Sequence, residues 1–299
     1  MTSINIISKL HPNSSLEQSN RPNMVYAWFL NKWFRKAGVD SRFVSHIFHK
    51  SHKRTKADKT PQIADYTLIT SRSGYSQILG TPGYYEKLKK LTKKKIAIYL
   101  CSDLHTGRNV HLPKYFDHVF TQVQPKPFLD PKYVYAGWGA DPEYCYPEKK
   151  EKAVYLDSLM YEYYNGRYDS IYKIYEETIP KLKIKLYHPL PRYKGGQRLG
   201  WIEHQKLVKA SHFYCLTQPG EGGITRIEAA TGGALLVVPE AFSKLRIISS
   251  LERRIWKTEE ELIKILEKPF SVKAIRKKAL KHSWEKTVKR ILRTLEGDN

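Results

Sequence analysis

The segment Gln218-Pro219-Gly220-Glu221-Gly222-Gly223-Ile224-Thr225-Arg226-Ile227-Glu228-Ala229-Ala230-Thr231-Gly232-Gly233-Ala234-Leu235-Leu236-Val237-Val238-Pro239 decides how this chain is read. It runs as a glycine-rich loop, a short helix carrying a glutamate, two glycines and a buried strand. Glycines let backbone N–H groups come close to an anion, and the helix that follows turns its positive end towards it. A glutamate one or two turns into that helix, Glu228, can accept from the hydroxyls of a ribose. Glycine-rich loops before helices are also common packing devices, so the segment needs support from the rest of the chain.

The chain has 299 residues, 41% of them hydrophobic and 12% aromatic, which describes a protein with real cores and room for two domains. No stretch approaches the roughly 20 apolar residues that a membrane span needs. Met1 to Lys9 opens directly into a strand pattern, so no signal peptide is expected. Cys101, Cys145 and Cys215 lack metal-ligand spacing and suit a reducing compartment. The expected location is cytoplasmic (host cytoplasm for a viral protein), with peripheral membrane attachment as an alternative. Lys and Arg number 52 against 29 Asp and Glu, a net charge of +23. Such a field selects polyanionic partners: nucleic acid, an anionic membrane surface or an acidic polymer. A lysine-rich solvated surface is the plainer explanation.

Outward from the segment, strands and helices alternate as a parallel sheet requires. The expected strands are 4–7, 39–44, 66–70, 94–100, 118–123 and 133–135, with a helix over 24–37 stopped at Gly38. A second alternating unit follows: a strand at 153–156, a helix at 170–179, a strand at 182–187, a helix at 204–210 and a strand at 212–216. After Val238 helices are expected to dominate. The proline and charge run from Pro147 to Lys152 places the domain boundary near 149/150. Basic runs lie at His49 to Lys59, at Lys87 to Lys95 and in the last helices, where Arg276, Lys286 and Arg290 are included. The first run reads as a loop.

Four pieces in order resemble the retaining GT-B glycosyltransferases of the family-4 type. Tyr135 to Pro147 (YAGWGADPEYCYP) is similar to that group's inter-domain junction. Arg198-Leu199-Gly200-Trp201-Ile202 and the helix to His212 resemble the stretch beside the nucleotide base. Glu221 to Pro239 resembles the paired-glutamate signature, with six residues between Glu221 and Glu228, one fewer than in the family. His282-Ser283-Trp284-Glu285 resembles the opening of the last helix. A fifth piece, Tyr99 to Asn109, looks like a loop of phage enzymes that glucosylate hydroxymethylated bases in DNA.

The resemblance implies an α/β fold of two Rossmann-like domains facing a central cleft. Domain one would be 1–149 and domain two 150–299, with the last helix crossing back to the first. It implies a glycosyltransferase using a nucleotide sugar, UDP-glucose-like, with no further cofactor and no metal. Gly222, Gly223, Ile224, Thr225, Arg226 and Arg167 would hold the diphosphate, Glu228 the ribose, and Trp201 would lie beside the base. Glu221 would face the developing sugar cation, while Asp103 or His105 could act as base if the reaction inverts. Only Arg167 stands for the family's Arg and Lys pair, and Asn13-Ser14-Ser15 replaces its N-terminal Gly-Gly loop. The acceptor partner is expected to be polyanionic, DNA ahead of a membrane-associated glycan, held by Lys50, Lys53, Arg54, Lys56 and Arg108. A non-catalytic nucleic-acid-binding protein on the same scaffold is the alternative from another class.

Overall fold

The structure is a computed structural model, and it describes residues 1–8, 22–45, 62–70, 83–100, 112–122, 124–125, 129–157, 169–187, 201–217, 219 and 224–297. Among these the chain forms two compact units: Met1–Trp138 with Trp284–Asn299, and Gly139–Ser283.

In the first unit, β1 (Ser3–Ser8), β2 (Asp40–Ser45), β3 (Ala64–Ile69), β4 (Thr92–Tyr99), β5 (His118–Thr121) and β6 (Tyr133–Tyr135) form a parallel sheet in the order β2-β1-β3-β4-β5-β6. Ile4, Ile6, Leu68, Ile98 and Val119 are buried because helices cover both faces of such a sheet. Helix α1 (Pro22–Lys36) turns Tyr26, Phe29, Leu30, Trp33 and Phe34 inwards at helical spacing and ends before Gly38, whose φ of +80° a side chain would resist. Helix α2 (Tyr84–Lys90) buries Tyr84 and Leu88 and leads into β4.

In the second unit, β7 (Glu151–Asp157), β8 (Lys185–Tyr187), β9 (Ser211–Leu216), β10 (Leu235–Pro239) and β11 (Arg253–Trp256) form a parallel sheet in the order β11-β10-β9-β7-β8. Its helices are α3 (Asp169–Lys181), α4 (Trp201–Ala210), α5 (Ile224–Thr231), α6 (Arg246–Ser249), α7 (Glu259–Glu267) and α8 (Val272–Ala279). The last helix, α9 (Trp284–Glu296), belongs to the first unit. Its Trp284 is fully buried against Tyr26, Phe29 and Tyr99 at ring-centroid distances of 5.8, 6.1 and 6.2 Å.

Two sequence expectations change, and one strand is added. The division falls at Trp138/Gly139 rather than 149/150, because 139–149 packs within the second unit. There Ala140 pairs with Ser283, and Arg276 donates to the carbonyls of Cys145 and Pro142 at 2.9 and 3.4 Å. Helices dominate after Val238 as expected, and β11 adds an edge strand outside that expectation. Its polar pattern hid it: Arg253 and Arg254 donate to nearby carbonyls at the sheet's edge, where no alternating apolar face is needed. Strand β8 begins at Lys185, because Leu182 and Lys183 form a turn with Lys183 at φ +54°.

Candidate functional site

Open parallel sheets present ligands at the carboxyl ends of their strands. In the second unit β9 ends at Leu216, and α5 begins at Ile224 beyond the glycine-rich segment. Helix α5 is nearly all buried, Thr225 being the half-exposed exception. Its small Ala229, Ala230 and Gly232 allow close packing. The helix closes with the Gly233 amide on the Ala230 carbonyl at 3.0 Å and the Ala234 amide on the Ala229 carbonyl at 2.9 Å. Gly233 has φ +85°, and a Cβ there would stand 2.6 Å from Val272 Cγ1. Arg276 adds a cap by donating to the Thr231 carbonyl at 2.7 Å. One guanidinium therefore ties the end of α5 to the 139–149 segment.

Glu228 is buried, and each carboxylate oxygen accepts a hydrogen bond. Trp201 Nε1 donates to Oε1 at 3.0 Å, and Gln205 Nε2 donates to Oε2. Trp201 and Gln205 stand four residues apart on α4, so one helix face presents both donors. Gln205 Oε1 accepts in turn from Cys145 Sγ at 3.7 Å, and the Trp201 ring meets Tyr144 edge-on at 5.8 Å. Burial pushes the Glu228 carboxyl up to about 7, against the lowering effect of its two donors. Two of the roughly four lone-pair sites of a carboxylate are used here, which leaves acceptor capacity on the same oxygens.

The neighbouring His204 is buried edge-on to Tyr155 at 5.1 Å, and desolvation pushes its imidazole down to about 4. It is neutral at neutral pH. Burial also holds the Cys145 and Cys215 thiols well above their usual range, so both are protonated. The Lys150 ammonium donates to the carbonyls of Lys209 and Ser211 at 2.7 and 2.9 Å, and burial lowers it to about 8.

Of the residues singled out in the sequence, the structure brings Trp201 and Glu228 into contact and places Ile224 and Thr225 in the first turn of α5. Arg226 is buried. Asp103, His105, Arg108, Arg167, Glu221, Gly222, Gly223, Lys50, Lys53, Arg54 and Lys56 lie outside the described residues. Gln205 escaped the sequence reading, and its spacing from Trp201 was the available signal.

No family model matches the sequence, and no curated protein matches it. Solved structures do. AviGT4, a glycosyltransferase involved in avilamycin A biosynthesis, is similar at TM-score 0.61 and 14% identity, covering 99% of this chain and 99% of that one. A sucrose-phosphate synthase from Thermosynechococcus elongatus is similar at TM-score 0.58 and 10% identity, over 99% and 98% of the two chains. An alpha-glucosyltransferase in complex with UDP and a 13-mer DNA containing a HMU base is similar at TM-score 0.55 and 13% identity, over 96% and 95%. Two parallel sheets with flanking helices, in the same fold along nearly the whole length of these chains, give the protein the α/β architecture of the GT-B glycosyltransferases.

Proposed function

We propose that the chain is a glycosyltransferase that moves a sugar from a UDP-sugar, UDP-glucose-like, to an acceptor hydroxyl. The observation that carries this is the Glu228 carboxyl on α5, directly behind a glycine-rich segment at the carboxyl end of β9, in a chain of this fold. Backbone N–H groups of Gly222, Gly223 and Ile224, with the Thr225 hydroxyl and Arg167, stabilise the departing diphosphate. Glu228 accepts from the ribose while Trp201 and Gln205 hold it in place. Glu221 faces the sugar cation, and the reaction retains configuration without a metal. In the retaining course the acceptor hydroxyl passes its proton to the leaving phosphate on the same face; an inverting course would instead take Asp103 or His105 as its base.

The acceptor we favour is the hydroxyl of a hydroxymethylated base in DNA, held by Lys50, Lys53, Arg54, Lys56 and Arg108. The net charge of +23 supports it, as does the likeness to a glucosyltransferase crystallised with modified DNA. A membrane-associated glycan is the second reading, favoured by the lysine surface described below.

The test is thermal shift against UDP and UDP-sugars, followed by transfer of labelled glucose to a duplex containing a hydroxymethylated base. Stabilisation by UDP and transfer that is lost in Glu228→Ala are expected. Gly222→Val and Gly223→Val should also lose the UDP shift, because a side chain there blocks the phosphate. No stabilisation by any nucleotide would remove the reading and leave the non-catalytic nucleic-acid-binding alternative.

A further inference from the structure

The amino-terminal edge of the first sheet carries a surface that the transfer reaction does not use. Strands β3 and β4 are paired at Ala64↔Thr92 and again at Tyr66↔Lys95, so β4 advances three residues where β3 advances two. The extra residue is a bulge at Lys93 and Lys94, and bulges re-aim side chains. On its other side β4 meets β5 only from Ala97↔His118, so the start of β4 has no strand neighbour there. Lys93 and Lys94 are exposed as a result, beside exposed Lys90 at the end of α2. Lys90 and Lys93 have no ion-pair partner among the described residues, and Lys94 reaches Asp65 only at 4.0 Å.

Asp65 and Asp117 at this edge accept from backbone amides. Asp65 Oδ2 accepts from the Ser3 backbone amide and hydroxyl, each at 2.9 Å, and those bonds hold it below the usual carboxylate range. Asp117 accepts from the Ile96 amide at 2.7 Å. Glu86 and Glu296 are exposed acids nearby: Glu86 pairs with Lys89 at 3.5 Å, and Glu296 of α9 accepts from the Thr2 hydroxyl at 3.3 Å. Of the arginines in this unit, Arg35 donates to the Ser41 carbonyl and Arg42 pairs with Asp40, while Arg293 of α9 is exposed next to Thr294, whose carbonyl accepts from Lys95. The exposed charge at Lys90, Lys93 and Lys94 is that of ammonium groups, without the guanidinium forks that grip individual phosphates. Ile63, 56% exposed, stands at the start of β3 beside these lysines.

We infer that the edge formed by Ile63, Lys90, Lys93 and Lys94 docks the protein on an anionic lipid surface. Exposed lysines, Lys90 and Lys93 without an ion-pair partner among the described residues, around an exposed apolar side chain match a layer of acidic headgroups over hydrocarbon. The phosphate backbone of a nucleic acid offers the isoleucine no apolar partner, whereas hydrocarbon does. The nucleic acid would also be held roughly 20 Å, the length of β3, from the carboxyl ends where a base would react. The inference does not rest on the UDP-sugar reading.

Its test is sedimentation of the full chain with phosphatidylcholine vesicles that contain or lack phosphatidylserine. Binding is expected to the anionic vesicles only and to fall with added salt. Lys90→Glu/Lys93→Glu/Lys94→Glu should weaken it on the order of a hundredfold, since each lysine is worth roughly fivefold at such a surface. Ile63→Ser should weaken it several-fold while leaving binding to a short DNA duplex unchanged. Unchanged far-UV circular dichroism and Tm would show that these exposed substitutions leave the fold alone. Where they do not, Lys90→Gln/Lys93→Gln/Lys94→Gln replaces the reversal. Equal binding to both vesicle types would overturn the proposal, and so would full anionic-vesicle binding by the triple variant. A parent chain that ignores vesicles yet loses duplex binding in the triple variant would assign the edge to nucleic acid.

Discussion

His204 and Glu228 give the second unit opposing dependences on pH. The folded His204 pKa, about 4, lies below its ordinary 6.5, so between those values the unfolded chain binds more protons and stability rises with pH. The folded Glu228 pKa, about 7, lies above 4.5, so the folded chain binds more protons across that window and stability falls as pH rises. Each effect is on the order of 3 kcal/mol at most. Between pH 4.5 and 6.5 they largely cancel. Urea unfolding of Glu228→Gln from pH 4.5 to 8 should show stability rising and then level, and above pH 7 the variant should exceed the parent. His204→Leu should show the reverse slope, and parallel curves for all three proteins would refute the coupling. Gly233→Ala should cost about 2–4 kcal/mol, because the added Cβ meets both a left-handed backbone and Val272. A change in urea midpoint below a quarter of that would mean the α5 turn relaxes freely.

At the scale of elements, α9 and α5 matter most. Trp284, Val288, Ile291 and Leu295 form one buried stripe on α9, while Arg290 donates to the Ala136 carbonyl at 3.0 Å over the Tyr135 ring. Trp284→Ala should lower stability by about 3–5 kcal/mol, read from urea unfolding and from near-ultraviolet circular dichroism of the Tyr26, Phe29 and Tyr99 cluster. Helix α5 illustrates what patterning shows and what it omits. Its glycines, alanines and following apolar strand were legible because parallel-sheet neighbours need continuous burial and small contact residues. The donors to Glu228 come from α4, and Cys145 and Arg276 reach the site from remote parts of the sequence. Periodicity within α5 carries no information about them.

For the whole molecule, the first unit needs the C-terminal helix although 139–283 intervene. A chain ending at Ser283 should lose cooperative unfolding of that unit, since Trp284 leaves its aromatic cluster open. Gly139–Ser283 expressed alone should fold and unfold in one transition, followed by circular dichroism. Two unchanged transitions in the truncated chain would contradict this division. Among the described residues no helix is long and apolar enough to cross a membrane.

The sequence by itself determined the parallel α/β layering, the stop at Gly38, the order of the pieces that resemble GT-B glycosyltransferases and the place of Glu228 after a glycine-rich turn. Those features are local: strand burial, helix periodicity and the left-handed backbone of glycine are written within a few residues of each other. Only the tertiary structure decided that the division falls at Trp138, that β11 closes the second sheet and that Trp201 and Gln205 hold Glu228. The bulge also leaves Lys93 and Lys94 exposed while Asp65 and Asp117 accept from backbone amides. Each of these depends on which distant segment supplies the hydrogen-bond partner or leaves it absent. A linear pattern of residue types does not encode that choice.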